Sequence, residues 1–231
     1  MPVSAPVDIV NLALAHLGDK ALVDLNGQSL DPEGPDTARL MKTLYAPCRD
    51  ELLVLQPWHF ATVRALPALL VATPLYGYTN AYQLPQGGLP AMPTDPVPPP
   101  FCLRVLDTNL DPTWNAWWGV WGWGPGTWPW PLMGRQGLWQ IEGRTLVTNE
   151  VDLMIRYIAV IEDVTIYTPS FVAALAGLMA QRAARALTQN ENVVTDLRDE
   201  SKALTRAARN VEGQEGSQLQ YISTALTEVR W

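Results

Sequence analysis

At 231 residues with 48% hydrophobic content, the chain is long enough to bury a substantial core, as one large domain or two small ones. Formal net charge is −7; acids exceed bases as far as residue 168, the two balance at seven each beyond it, and no basic stripe exists to grip phosphates. Tight DNA or RNA binding is thereby disfavoured, although an acidic wall suits a channel that DNA slides past. No apolar run of about 18 residues predicts a transmembrane helix, and MPVSAPVD lacks the basic start of a signal peptide.

Residues 5–17 predict the first helix. Pro6 suits its initial turn, Asp8 its positive end and Gly18 its C-cap. Ile9, Leu12, Ala13, His16 and Leu17 form the expected buried stripe, with His16 read as a satisfied histidine at the core edge rather than a ligand or base. Turn formers follow at Asn26-Gly27 and in DPEGPD at 31–36, where Asp36 or Thr37 can cap the next helix. That helix, 36–56, carries Ala38, Met41, Leu44/Tyr45, Cys48, Leu52 and Leu55 on one face. Pro47 predicts a kink, because apolar spacing resumes beyond it, and Pro57 predicts the stop. Trp58-His59 then reads as a packed corner leading into strand-like sequence.

From about 60 to 165 the chain reads as strands, at 62–66, 81–84, 102–107, 138–142, 144–148 and 153–161, with Gly143 marking a tight turn. Two irregular inserts interrupt them. Residues 85–100 are too rich in proline for a helix or an inner strand. Residues 111–134 hold Trp114, Trp117, Trp118, Trp121, Trp123, Trp128 and Trp130. Each indole brings roughly 150–250 Å² that needs a partner. Three readings compete: the loop folds back on its own sheet, packs against a copy or another protein, or forms a sugar or lipid platform.

Helices resume at 170–189 and 193–211. Ser170 is the expected cap of the first, whose stripe is Val172, Leu175, Met179, Ala183 and Ala186/Leu187. Its many alanines let another backbone approach closely. The second presents Val194, Leu197, Ser201, Leu204, Ala208 and Val211, the seam of an antiparallel hairpin. Residues 217–231 read as a short helix or an extended arm, with Tyr221 and Trp231 as aromatic anchors.

Chemistry is sparse. Two histidines and two cysteines match no metal spacing, and there is no nucleophile elbow, phosphate loop or dinucleotide fingerprint. Neither catalytic, cofactor-binding nor metal residues are therefore expected, and the chain reads as no enzyme. Asp107 and Asp111, flanking the Trp-rich insert, are the candidates for a carboxylate pair, with loop capping the preferred role for both. For Cys48 and Cys102 a disulfide stays open, with two buried free thiols preferred.

Several blocks carry a family resemblance. SAPVDIVNLALAHLGD (4–19), YAPCRDELLVLQPWHFATVRA (45–65), the stretch 78–85, YTPSFVAALAGLMAQRAARALTQN (167–190) and EGQEGS (212–217) follow one another as in the tail tubular protein A family. These are head-to-tail adaptors of T7-like, short-tailed bacteriophages. His59 stands where the family often has Asn, and the two inserts depart from its commoner pattern.

The resemblance implies an α+β fold, an antiparallel helical bundle with an inserted β-rich domain carrying long Pro-rich and Trp-rich loops. The bundle would comprise 1–59 and 167–216, the β-rich domain 60–166, and the docking arm 217–231. It implies a structural virion protein that forms a homododecameric ring between portal protein and tail nozzle, with double-stranded DNA passing through unbound and no membrane partner. Assembly would occur in the host cytoplasm and the product would sit in the short tail at the portal vertex. The accompanying descriptors are viral tail, head-tail connector, virion assembly and viral genome ejection. The seven tryptophans named above, with Tyr221 and Trp231, are the interface candidates. The alternative is a carbohydrate- or cell-envelope-binding module, or a cell-wall hydrolase, resting on the same tryptophans.

Overall fold

The computed structural model describes residues 3–22, 35–87, 99–109, 139–188 and 190–214, and these residues form four helices and seven strands. The helices are α1 (Pro6–Leu17), α2 (Pro35–Leu55), α3 (Pro169–Leu187) and α4 (Glu191–Gln214). The strands are β1 (Thr62–Ala65), β2 (Ala68–Leu69), β3 (Asn80–Gln83), β4 (Cys102–Thr108), β5 (Trp139–Glu142), β6 (Thr145–Thr148) and β7 (Ile155–Ala159). They divide into two compact units. One comprises Pro6–Leu44 and Thr168–Trp231, the other Val3–Ala5 and Tyr45–Tyr167.

In the first unit α3 packs against both α1 and α4. The α1 terminus is a full Schellman cap: Gly18 at φ +72° donates to the Ala15 carbonyl, and Asp19 donates to the Leu14 carbonyl. Buried α1 residues are Ile9, Val10, Ala13 and Leu14, whereas Leu12 is exposed. The helix is apolar on several sides, so its periodicity admits more than one stripe. Thr168 caps α3, its hydroxyl accepting from the Phe171 N–H, while Pro169 takes the first helical position. Ser170, the expected cap, thus lies inside the helix.

Small side chains set the α3–α4 spacing. A Cβ added at Gly177 would come within 2.8 Å of Leu204 Cδ1 and 3.6 Å of Ser201 Cα. The expected α4 seam holds at Leu197, Ser201 and Ala208, but at the end Glu212 is buried and Val211 exposed. At its last step the buried line advances four residues, from Ala208 to Glu212, rather than three to Val211.

In the second unit every pairing is antiparallel. One sheet has three strands in the order β1-β7-β4; the other has four in the order β2-β3-β6-β5. Both are open. Gly143 at φ +62° makes the two-residue turn between β5 and β6, as its place between two strand-like runs predicts. Tyr82, Leu84, Cys102, Val105, Leu146, Leu153, Ile155, Tyr157 and Ala159 form one core, with Trp139 packed against it.

The second half of α2 belongs to this unit, and its end is capped by side chains. The Trp58 indole donates to the Leu52 carbonyl at 2.9 Å, and Arg104 of β4 donates to the Val54 carbonyl at 3.1 Å. Phe60 lies between Trp58 and Tyr167, with ring centroids 6.0 and 5.5 Å away. Trp58 is fully buried, so the corner is packed, as expected from sequence.

This architecture corrects the expected one. The fold is mixed α+β with two open sheets and four helices, not a bundle carrying an inserted β-rich domain with long loops. The apolar face of α2 is shared out: Ala38 and Met41 are buried in the part assigned to the first unit, Cys48, Leu52 and Leu53 in the part assigned to the second. Periodicity says that a face is covered but not by what, so one stripe does not distinguish one bundle contact from two. The Pro-rich and Trp-rich loops form no part of the described fold, since residues 88–98 and 110–138 lie outside it. α2 runs unbroken through Pro47 and starts at Pro35, which places Asp36 and Thr37 inside it rather than at its cap.

Gly177→Val is expected to destabilise the protein by about 1–3 kcal/mol through overpacking against Leu204. Adding Leu204→Ala should recover part of that loss in denaturant unfolding; equal instability of single and double variants would show that this contact does not set the helix spacing.

Candidate assembly surface

All nine sequence-derived interface candidates, Trp114, Trp117, Trp118, Trp121, Trp123, Trp128, Trp130, Tyr221 and Trp231, lie outside the described residues. The ends of the two inserts are described. At the Pro-rich one, Cys102 N–H donates to the Pro85 carbonyl, and Arg144 donates to both the Cys102 and Pro85 carbonyls at 2.7 and 2.9 Å. The same guanidinium lies 4.2 Å from the centre of the Phe101 ring, and the Tyr157 hydroxyl donates to the Pro100 carbonyl. Arg144 therefore clamps the two feet of that insert together. Nothing in its sequence neighbourhood beyond a turn glycine marks it for this role. At the Trp-rich insert, Asn109 is fixed by three hydrogen bonds with Met154 and Asp152, while Trp139 packs on the core.

Candidate chemistry resolves into structural pairs. Asp107 lies within β4, opposite Arg156 of β7, and accepts from Arg156 Nε at 3.1 Å and from Nη2 as well. This bidentate pair occupies the carboxylate and replaces the loop-capping role expected for it; Asp111 lies outside the described residues. His16 sits 3.3 Å from Glu200, a partly exposed contact between α1 and α4 in keeping with a satisfied histidine. His59 is exposed in a single 3-10 turn. Cys48 and Cys102 are both buried, and neither is in a disulfide. Among the described residues no group of three or more metal-binding side chains occurs, and no helix is long and apolar enough to cross a membrane.

What does stand out is a surface. Residues 66–79, LPALLVATPLYGYT, contain no charged residue. Val71 and Leu75 are each 101% exposed, Tyr76 89% and Leu69 57%. Val71, Leu75 and Tyr76 thus have little contact with the other described residues. The segment is nevertheless tied at both ends: Leu70 N–H donates to the Ala81 carbonyl at 2.8 Å, and Thr79 N–H to Asn149 Oδ1 at 2.9 Å. Asn80 and Tyr82 each donate to the Glu150 carbonyl. Gly77 at φ +84° lets the chain turn back toward β3. An anchored loop with several exposed apolar side chains is a candidate contact surface.

β2, from which this loop departs, is an edge strand; β5, at the other edge of the same sheet, has no outer strand partner among the described residues. Sequence reading missed the surface. Its signal is the charge-free run between Arg64 and Asp95, less conspicuous than the tryptophans further on.

No family model matches the chain, and no curated protein is similar to it. This finding overturns the descriptors drawn from the resemblance: virion, viral tail, head-tail adaptor or connector, tail tubular protein, bacteriophage, virion assembly, viral genome ejection, structural protein and homododecamer have no support as labels for this chain.

Burial pushes the Cys102 thiol up from about 9 to about 11, with the nearby Arg144 guanidinium pulling the other way. Burial also raises Tyr157 and Tyr167. A folded-state value above the unfolded one gives stability that is complete below the unfolded value and lost as pH rises through the folded one. Resistance to denaturant should therefore fall between about pH 9 and 11. Cys102→Ala should flatten that fall, and an unchanged alkaline profile would refute the thiol's part in it.

Proposed function

We propose that this chain is a structural, non-catalytic subunit that assembles with copies of itself into a ring-shaped adaptor between a portal and a tail nozzle. The observation that carries the reading is the anchored, uncharged segment 66–79, with Leu69, Val71, Leu75 and Tyr76 exposed, on a sheet whose two different edges have no outer strand partner among the described residues. A ring of identical chains needs two unlike surfaces that complement each other, and a sheet with no outer strand at either edge among the described residues supplies two such places. The sequence blocks at 4–19, 45–65 and 167–190 supply the particular kind of ring.

Charge supports the same reading. A chain at net −7 without a basic stripe suits a wall past which double-stranded DNA moves without being held. In this account the partners are the portal above, the nozzle below and neighbouring copies. Its place is the portal vertex, after assembly in the host cytoplasm.

The test is electron microscopy and mass measurement of the full chain mixed with a purified portal ring. A ring of this chain stacked on the portal is expected, whether or not the chain closes into a ring alone. A chain that stays monomeric with portal present, and peptidoglycan binding by that isolated chain, would favour the cell-envelope reading instead. Removal of residues 227–231 is expected to leave the melting temperature unchanged while weakening attachment to portal. Undiminished attachment would discard the docking arm.

A further inference from the structure

We infer that residues 69–76 of one copy seat against the β5 edge of the next copy, so that the four-stranded sheets follow one another around the assembly. The inference rests on the ring reading for the identity of the neighbour and adds the contact that joins subunits.

The occupant follows from charge, area and position. Two copies of a chain at −7 repel each other, so a self-contact is best made through a surface that adds no charge. Residues 66–79 carry none. Leu69, Val71, Leu75 and Tyr76 together expose on the order of 600 Å², a large part of the ~800 Å² that each partner brings to a standard interface. Because Leu70 and Thr79 tie the segment at both ends, its closure is already set and only the residues between them are left to order on docking.

The receiving surface is set by the sheet order β2-β3-β6-β5. The apolar segment leaves from one edge and β5 occupies the other, so a copy that gives its segment to one neighbour keeps its β5 edge for the other. β5 offers Ile141, 39% exposed, between Gln140 and Glu142. Pro67 has no N–H and β2 has only two residues, which limits backbone pairing at the donating edge. Apolar side chains therefore carry the contact, and sheet hydrogen bonds are secondary.

The experiment is sedimentation of the full chain without portal, at concentrations up to ~1 mM. The arm variant is Leu75→Asp with Tyr76→Asp; the edge variant is Ile141→Lys. These side chains are exposed, so circular dichroism should show all variants folded. The wild-type chain is expected to associate with rising concentration and each variant alone to remain monomeric. An equimolar mixture of the two variants should give a dimer and nothing larger, because it restores one intact arm-to-edge contact per pair.

Three results would overturn the inference: a wild-type chain that stays monomeric throughout, variants that associate as the wild type does, or a variant mixture that remains monomeric. Association unaffected by the variants, with stacking on portal retained, would sink this contact and leave the adaptor reading standing. The predicted variant pattern without any attachment to portal would do the reverse.

Discussion

The end of α2 is the constraint on which the second unit depends. Pro57 cannot donate the hydrogen bond that would continue the helix, so the last carbonyls need other partners. The Trp58 indole takes Leu52, and the Arg104 guanidinium takes Val54. The first of these buries the largest side chain of the core; the second ties the helix terminus to β4, with a positive charge at its negative end. The Thr62 hydroxyl donates to the Trp58 carbonyl at 2.7 Å, so the same residue also starts β1. Helix, three-stranded sheet and aromatic corner are thus fixed around one proline and one tryptophan.

With that unit fixed, its two inserts start from defined feet, and its four-stranded sheet has no outer strand at either edge among the described residues. Arg144 closes the base of the Pro-rich insert, and Asn109 holds the start of the Trp-rich one. The polar side chains that looked most able to do chemistry are used in this scaffolding: Asp107 neutralises Arg156 across two strands, and Cys102 is buried. What remains facing outward on a tied loop is apolar and uncharged. In that division polar groups hold the fold and apolar groups face outward.

Elements with one dominant signal were legible from sequence. Gly18, Gly143 and Pro57 each permit or forbid a specific backbone conformation, and the α1 cap, the β5–β6 turn and the α2 terminus fall where they dictate. The small-residue face of α3 likewise announces close helix packing, which Gly177 and Leu204 realise. Less legible was anything that depends on a distant partner. The α2 stripe does not reveal that its two halves belong to different units, and the α4 pattern does not reveal that Glu212 is buried where Val211 is exposed. β2 is two residues long and exists through its pairing with β3. The tryptophans of 111–134 are the more conspicuous sequence signal, whereas among the described residues an exposed apolar surface lies at 66–79, where the signal is an absence of charge.

Hydrogen exchange, compared between dissociated and assembled protein, tests the central claim most directly. The account predicts that amides of residues 71–78, and those of β5, gain protection together on assembly while the cores of α3 and β7 change little. Unchanged exchange at 71–78, with new protection confined to other surfaces, would contradict it.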